Sequence, residues 1–275
     1  MIELPESISL SKQLNETVRG KGIENVVANA SPHKFAWLSG DSQAYNKLLK
    51  GKTVGESRGI GGKVEIEAGD ARIVLAEGIN IRLFAAGEKL PKKHQLLITF
   101  ADSSSLVCSV QMYGGLWAFI DGTFDNEYYL IAKQRPSPLS AAFDWETFSA
   151  MAEENENKSA KAFLAAEQRI PGLGNGVLQD ILFNARIHPK TKMNLLSEQE
   201  LKILFDSVKT TLRQMADQGG RDTETDLFGN PGGYRTLLSK KTVGQLCPRC
   251  GGIIEKTAYM GGSVYICPMC QKVRK

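Results

Sequence analysis

The chain has 275 residues, 42% hydrophobic and 23% charged, which suits two domains, or one domain and an appendage, with a substantial buried core. No run approaches the roughly eighteen consecutive apolar residues of a membrane span, and no basic-then-apolar leader opens the chain, so membrane insertion and secretion are not expected and the expected location is the cytoplasm. The net charge of +4 is modest but uneven: from Lys240 onward seven cationic side chains face Glu255 alone, a net of +6 that suits either a polyanion or a solvated basic tail.

In chain order, MIELPE reads as an opening turn carrying two carboxylates, Glu3 and Glu6. Leu10, Leu14 and Val18 then recur every four residues ahead of Gly20 and Gly22, which predicts a short amphipathic helix with a glycine stop. From about Val26 to Leu130 the texture is strand-like, with runs such as KFAWLSG, ARIVLAEG, HQLLITF, SLVCSV and GLWAFI between Gly, Asp, Ser and Pro. A β-rich domain, a sandwich or flattened barrel, is expected, with Cys108 as a small core residue. QRPSPLS marks a hinge around Arg135 to Ser140. Beyond it FDWETFSAMAEE, NKSAKAFLAAEQ, GVLQDILFNA and SEQELKILFDSVKTTLRQMADQ predict four helices, the last opened by a Ser197/Glu200 capping box. GGRDTETDLFGNPGGYR reads as a linker to the last module.

That module is CPRCGGIIEKTAYMGGSVYICPMC, in which Cys247 and Cys250 are separated by sixteen residues from Cys267 and Cys270. Two paired thiolates grip opposite sides of a tetrahedral Zn²⁺, and no position is left for water, so one structural zinc is expected. The interior alternates like two strands turning at Gly261-Gly262, a β-hairpin finger. A second motif, QRIPGLGNGVLQDILFNARIHP, places a glycine loop before an apolar helix, where backbone amides and the helix terminus suit a phosphate. By itself it is also an ordinary tight turn between helices; Asn175 then reads as an N-cap and His188 as a cap or surface residue.

Taken in order, MIELPE, a β domain, GLGNGVLQDILFNARIHP and the terminal four-cysteine hairpin resemble the formamidopyrimidine-DNA glycosylase and endonuclease VIII family over nearly the whole chain. The resemblance implies an α+β multidomain fold: an amino-terminal β-sandwich with its helix over residues 1–134, a helix-two-turn-helix domain over 135–235 and a zinc-finger hairpin over 236–275. It also implies nucleic acid as the partner, double-stranded DNA first, held by a monomer that needs no membrane.

In that family an amino-terminal proline attacks C1′ of the damaged nucleotide, its secondary amine giving an iminium ion. Here Ile2 stands in its place, without that amine and with a bulk that hinders removal of Met1. By the same resemblance Glu3 matches the acid, Glu6 a second carboxylate, Lys63 a hairpin lysine that meets the DNA backbone, and Lys161 and Asn175 phosphate-binding positions. Ile79, Met112 and Tyr113 are the nearest counterparts of residues inserted where the base is flipped. Gly262 falls where the finger carries a phosphate-gripping arginine.

Three readings follow. The first is a DNA-binding protein of this fold that recognises damaged, abasic or distorted DNA with the amine nucleophile lost. The second is an active glycosylase or lyase using Lys63, the Met1 amine or water activated by Glu3. The third is a binder of structured RNA.

Overall fold

In the computed structural model, which describes residues 1–274, Glu3 is the N-cap of α1 (Leu4–Thr17) and its backbone N–H donates to Glu6 Oε2 at 3.1 Å. The Leu4-Pro5 pair is therefore the first turn of the helix and not a turn ahead of it. Proline is tolerated there because its missing N–H would have had no intrahelical acceptor. Helix α1 lies between two cores: its Leu10 and Leu14, with Ile2 just ahead of it, belong to the β-domain core, whereas Leu4 belongs to the helical one.

The β domain is a sandwich of two sheets. One has the order β1 (Ile23–Ala28), β7 (Leu96–Phe100), β8 (Ser105–Val110), β6 (Ile79–Phe84). The other runs β2 (Ala36–Leu38), β9 (Gly114–Ile120), β5 (Ala71–Leu75), β4 (Lys63–Ala68), β3 (Val54–Ile60). Ile66, Ile73 and Leu75 from the second sheet share a core with Ile81, Leu96 and Ile98 from the first, and Cys108 is buried with them, as alternating strands facing each other require. A short helix, α2 (Tyr45–Leu49), closes one side.

The strand-like stretch ends earlier than its composition suggests. Asn126 accepts from Tyr129 N and caps α3 (Glu127–Gln134), which lays Tyr129 over Val74, Trp117 and Phe119 on the outer face of the larger sheet.

The four helices expected beyond the hinge are α4 (Trp145–Glu154), α5 (Ala160–Ala165), α6 (Val177–Asn184) and α7 (Glu198–Asp217), the last with its Ser197/Glu200 capping box. They enclose Phe148, Phe163, Leu178, Ile181 and Leu212. The β and helical domains meet at Gly61 and Gly172, whose backbones come so close that a Cβ on Gly172 would lie 2.5 Å from the Gly61 carbonyl carbon. Only glycine, free of a side chain and at φ +78°, fits that approach.

Residues 219–235 are not a free linker. Leu227 is buried in the β-domain core, its N–H donates to Gln13 Oε1 at 2.9 Å, and its carbonyl accepts from Leu83 N. The finger hairpin comprises β10 (Glu255–Tyr259) and β11 (Gly262–Ile266). Its turn falls on Met260-Gly261, one residue earlier than expected, because these two adopt positive φ (51° and 70°) as a two-residue hairpin turn demands, and Gly262 already pairs with Tyr259. Among the described residues, no helix is long and apolar enough to cross a membrane.

Candidate nucleic-acid interface

The helix terminus behind the glycine loop does hold an anion, but one supplied by the protein. Glu3 Oε1 accepts from Gly176 N at 2.8 Å and Oε2 from Val177 N at 2.7 Å, so its carboxylate caps α6 where a phosphate was expected. Asn175 is therefore not the cap. Its Nδ2 donates to Ser263 O in the finger at 3.0 Å, and its Oδ1 is buried without a partner.

Beneath Glu3 lies a buried cation the sequence reading passed over. Arg221 donates Nε to Glu6 Oε1 at 2.9 Å and Nη2 to Glu6 Oε2 at 2.7 Å, and its Nη1 lies 3.4 Å from Glu3 Oε2. All three side chains are buried. A Cβ on Gly176 would overlap the guanidinium, so the glycine makes room for it. Burial raises the Glu3 carboxyl above its usual range against the pull of Arg221, with the Glu6 charge adding to the rise. Glu6, although burial opposes ionisation, is held below the usual range by the Arg221 charge and its hydrogen bonds. Two adjacent carboxyls are thus driven apart, the pattern of an acid beside a fixed charge.

A cavity of about 680 Å³ opens in front of this group between the β domain, the glycine loop and the finger, and its walls include Ile2, Glu3, Tyr113, Lys161, Asn175 and Gly262. Ile2 is 4% exposed, packed into the β-domain core. The Met1 amino group forms an ion pair with Glu224.

The remaining expected residues divide. Met112 and Tyr113 stand exposed at the cavity wall. Ile79 does not: it is 3% exposed, at the start of β6 with its side chain in the sandwich core, where it cannot be inserted into a duplex. Lys63, expected to meet the DNA backbone, is instead fully buried, and its Nζ pairs with Glu77 at 2.8 Å. His188 is likewise buried, its Nδ1 accepting from Lys190 N at 3.1 Å, and burial lowers its pKa.

Lys161 donates Nζ to Tyr259 O at 2.7 Å. Together with Asn175 it binds the finger across the position of Gly262, where an added Cβ would meet Lys161 Nζ at 3.3 Å and Asn175 Oδ1 at 3.4 Å. Gln179 completes the brace, accepting from Tyr265 N at 3.0 Å.

In the finger the Sγ atoms of Cys247, Cys250, Cys267 and Cys270 all lie within 4.8 Å of one another; Cys247 to Cys270 is 3.8 Å and Cys250 to Cys267 is 3.4 Å. A tetrahedron of sulfurs about 2.3 Å from Zn²⁺ has edges of roughly 3.8 Å, so these thiolates fit one structural zinc. With four protein ligands the ion folds the finger and offers no position for substrate.

A β-sandwich, a helical domain with a glycine loop at a helix terminus and a four-cysteine finger, arranged around one cleft, define a zinc-finger protein of the DNA glycosylase fold. Residues 135–226 match the formamidopyrimidine-DNA glycosylase H2TH domain, and residues 244–273 match the zinc finger found in FPG and IleRS. The formamidopyrimidine-DNA glycosylases of Bacillus anthracis and Lactococcus lactis subsp. lactis are each 28% identical, over 98% and 99% of this chain and 99% and 100% of theirs. Among solved structures, Lactococcus lactis Fpg with abasic-site DNA superimposes with a TM-score of 0.85 at 25% identity, and MutM with DNA containing carbocyclic 8-oxo-G with 0.84 at 25%; each match covers 98% of this chain and 100% of the other. The two family models and these relatives together make the chain similar to the formamidopyrimidine-DNA glycosylase/endonuclease VIII family over nearly its whole length.

Proposed function

We propose that this protein binds damaged, abasic or distorted double-stranded DNA in the cleft between its β and helical domains without the amine chemistry of its relatives. The observation that carries this reading is the state of the cavity wall. Ile2, a buried side chain whose backbone nitrogen is an amide, stands where the family's secondary amine belongs, and the amino group of Met1 is bound to Glu224. Lys63 supplies no substitute, since its ammonium is buried against Glu77. Both amines are thus engaged by carboxylates of the protein itself.

An acid is available at the cavity wall, where Glu3 lies with its carboxyl raised by burial. Water activation by Glu3 is therefore the second reading this geometry favours. One experiment separates the two: incubation of the protein with duplexes carrying an abasic site or an oxidised purine, followed by a binding titration and by analysis of the DNA for base release. Salt-sensitive binding with intact DNA and no borohydride-trapped complex is the expected result. Free base released in a Glu3-dependent manner would replace binding with hydrolysis.

A further inference from the structure

One aromatic cluster is left outside the cleft chemistry. In SPHKFAW, Phe35 and Trp37 are 47% and 51% exposed, and Tyr113 stands beside them with its ring centroid 5.6 Å from that of Trp37 at an interplanar angle of 36°. The backbone fixes this grouping. Strand β2 runs parallel to β9, with Trp37 opposite Gly115, and Gly114 N donates to Phe35 O at 3.0 Å. Tyr113 is shared with the cavity, so the aromatic surface continues from the cleft wall outward over Trp37, with the exposed Phe35 two residues before it on the same segment.

One lysine lies against it and three more sit on a loop tied to the same segment. Lys34 Nζ lies 5.4 Å from the Phe35 ring. The exposed run containing Lys89, Lys92 and Lys93 ends at His94, whose carbonyl accepts from Ser31 N at 3.1 Å, and Gln95 then ties this loop both to Ser31 O and to Val110 N, just before Met112. The acids in these segments are Asp41 and Glu88, the latter engaged by Ala85 N, and on the cavity side the charges of Glu77 and Glu3 act on Tyr113. Large aromatic faces left in water among lysines match what single-stranded nucleic acid takes: bases stack on the rings while phosphates meet the cations.

We propose that Trp37, with Tyr113 and Phe35, is a stacking platform for unpaired nucleobases, and that the substrate class is DNA with a locally single-stranded segment beside the lesion site. This rests on the reading of the cleft as a DNA site. It adds that opened DNA is preferred over continuous duplex.

The test compares the full chain with Trp37→Ala and Trp37→Phe on two labelled DNAs of equal length, each carrying one abasic site, one otherwise fully paired and one with a bubble of unpaired thymidines beside that site. Stacking one base is worth roughly tenfold or more in affinity. The wild type should prefer the bubble by about that factor. Trp37→Ala should abolish the preference and leave paired-duplex affinity unchanged, while Trp37→Phe, which keeps an aromatic face, should retain most of it. Indole fluorescence of the wild type should be quenched by the bubble, and that quench should be missing in both variants. Equal wild-type affinity for the two DNAs, or equal weakening of both by Trp37→Ala, overturns the platform while leaving the cleft reading intact. Failure of the wild type to bind either DNA overturns both.

Discussion

Arg221 and Glu6 are joined by two side-by-side hydrogen bonds, Nε to Oε1 at 2.9 Å and Nη2 to Oε2 at 2.7 Å, with both side chains buried. The same guanidinium donates to Met1 O at 3.2 Å and lies 3.4 Å from Glu3. One cation therefore fixes the first turn of α1, the acid at the cavity wall and the backbone of the residue before Ile2. A guanidinium can serve all three because its donors are planar and rigidly spaced.

Removing it should be costly. Arg221→Met leaves Glu3 and Glu6 buried together without a cation, and breaking such a pair costs about 3–5 kcal/mol. The sign of the pH dependence follows from Glu6: its folded pKa is lowered, so its stabilisation is present above the unfolded value of 4.5 and is lost as pH falls through the folded value. In the variant the orphaned carboxyls instead favour protonation. Urea unfolding should thus show a large deficit near neutral pH that narrows towards about pH 4. A deficit independent of pH would mean that the loss is one of packing.

The finger, the four helices of the second domain and the capping box were legible because each depends on residues close in sequence: a thiol pair, a helical period, a Ser and a Glu three apart. Arg221 was not, since its partner Glu6 is 215 residues away and the Gly- and Asp-rich surroundings read as a linker. Ile79 shows a second limit. On a strand a shift of one residue exchanges core for solvent, so a position placed to within a residue or two cannot be assigned a face. Lys63 was expected at the DNA backbone by resemblance, and nothing local revealed its burial, because its partner Glu77 lies fourteen residues on, beyond the reach of any local pattern.

Zinc should be stoichiometric, one equivalent per chain by metal analysis, and Cys267→Ser should lose it along with the fold of β10 and β11. Because Phe183 of α6 packs with Cys247 and Cys267, the loss should also reach the helical domain as a lowered melting temperature. Full zinc content in the variant would remove Cys267 from the ligand set.

Lys161 and Asn175 hold the hairpin in the free protein, and both line the cavity. If they exchange these carbonyls for phosphates on binding, the double variant Lys161→Ala with Asn175→Ala should weaken duplex affinity and lower the slope of log K against log salt by about one. An unchanged slope would show that Lys161 never leaves Tyr259 O for the DNA.

Asp180 offers a pH test within the helix that carries the site. It accepts from Leu237 N at 2.9 Å and Leu238 N at 2.8 Å, yet burial outweighs these donors and pushes its carboxyl up to about 6. A raised folded pKa means that its contribution is fully present below the unfolded value of 3.8 and is lost as pH rises through about 6. Relative to Asp180→Asn, the wild type should therefore gain about 2–3 kcal/mol between pH 8 and pH 4, read from urea midpoints of both proteins across that range.

The last prediction concerns the missing amine. With Ile2 in the β-domain core and the Met1 amino group on Glu224, the unaltered protein should trap no covalent complex with abasic DNA under borohydride. Ile2→Pro should permit removal of Met1, visible in the intact mass, and place a secondary amine at the cavity wall beside Glu3. Its trapping should be weak, because nothing at Gly262 grips the neighbouring phosphate. Adding Gly262→Arg should strengthen it: the position has no positive φ to forbid a side chain, and the groups it would meet, Lys161 Nζ and Asn175 Oδ1, are the movable ends of side chains. Arg221 then sets the remaining limit, since it holds Glu3 by charge in the orientation that caps α6. If the double variant sheds Met1, binds abasic DNA and still traps nothing, the block lies in that buried ion group and not in the absence of proline.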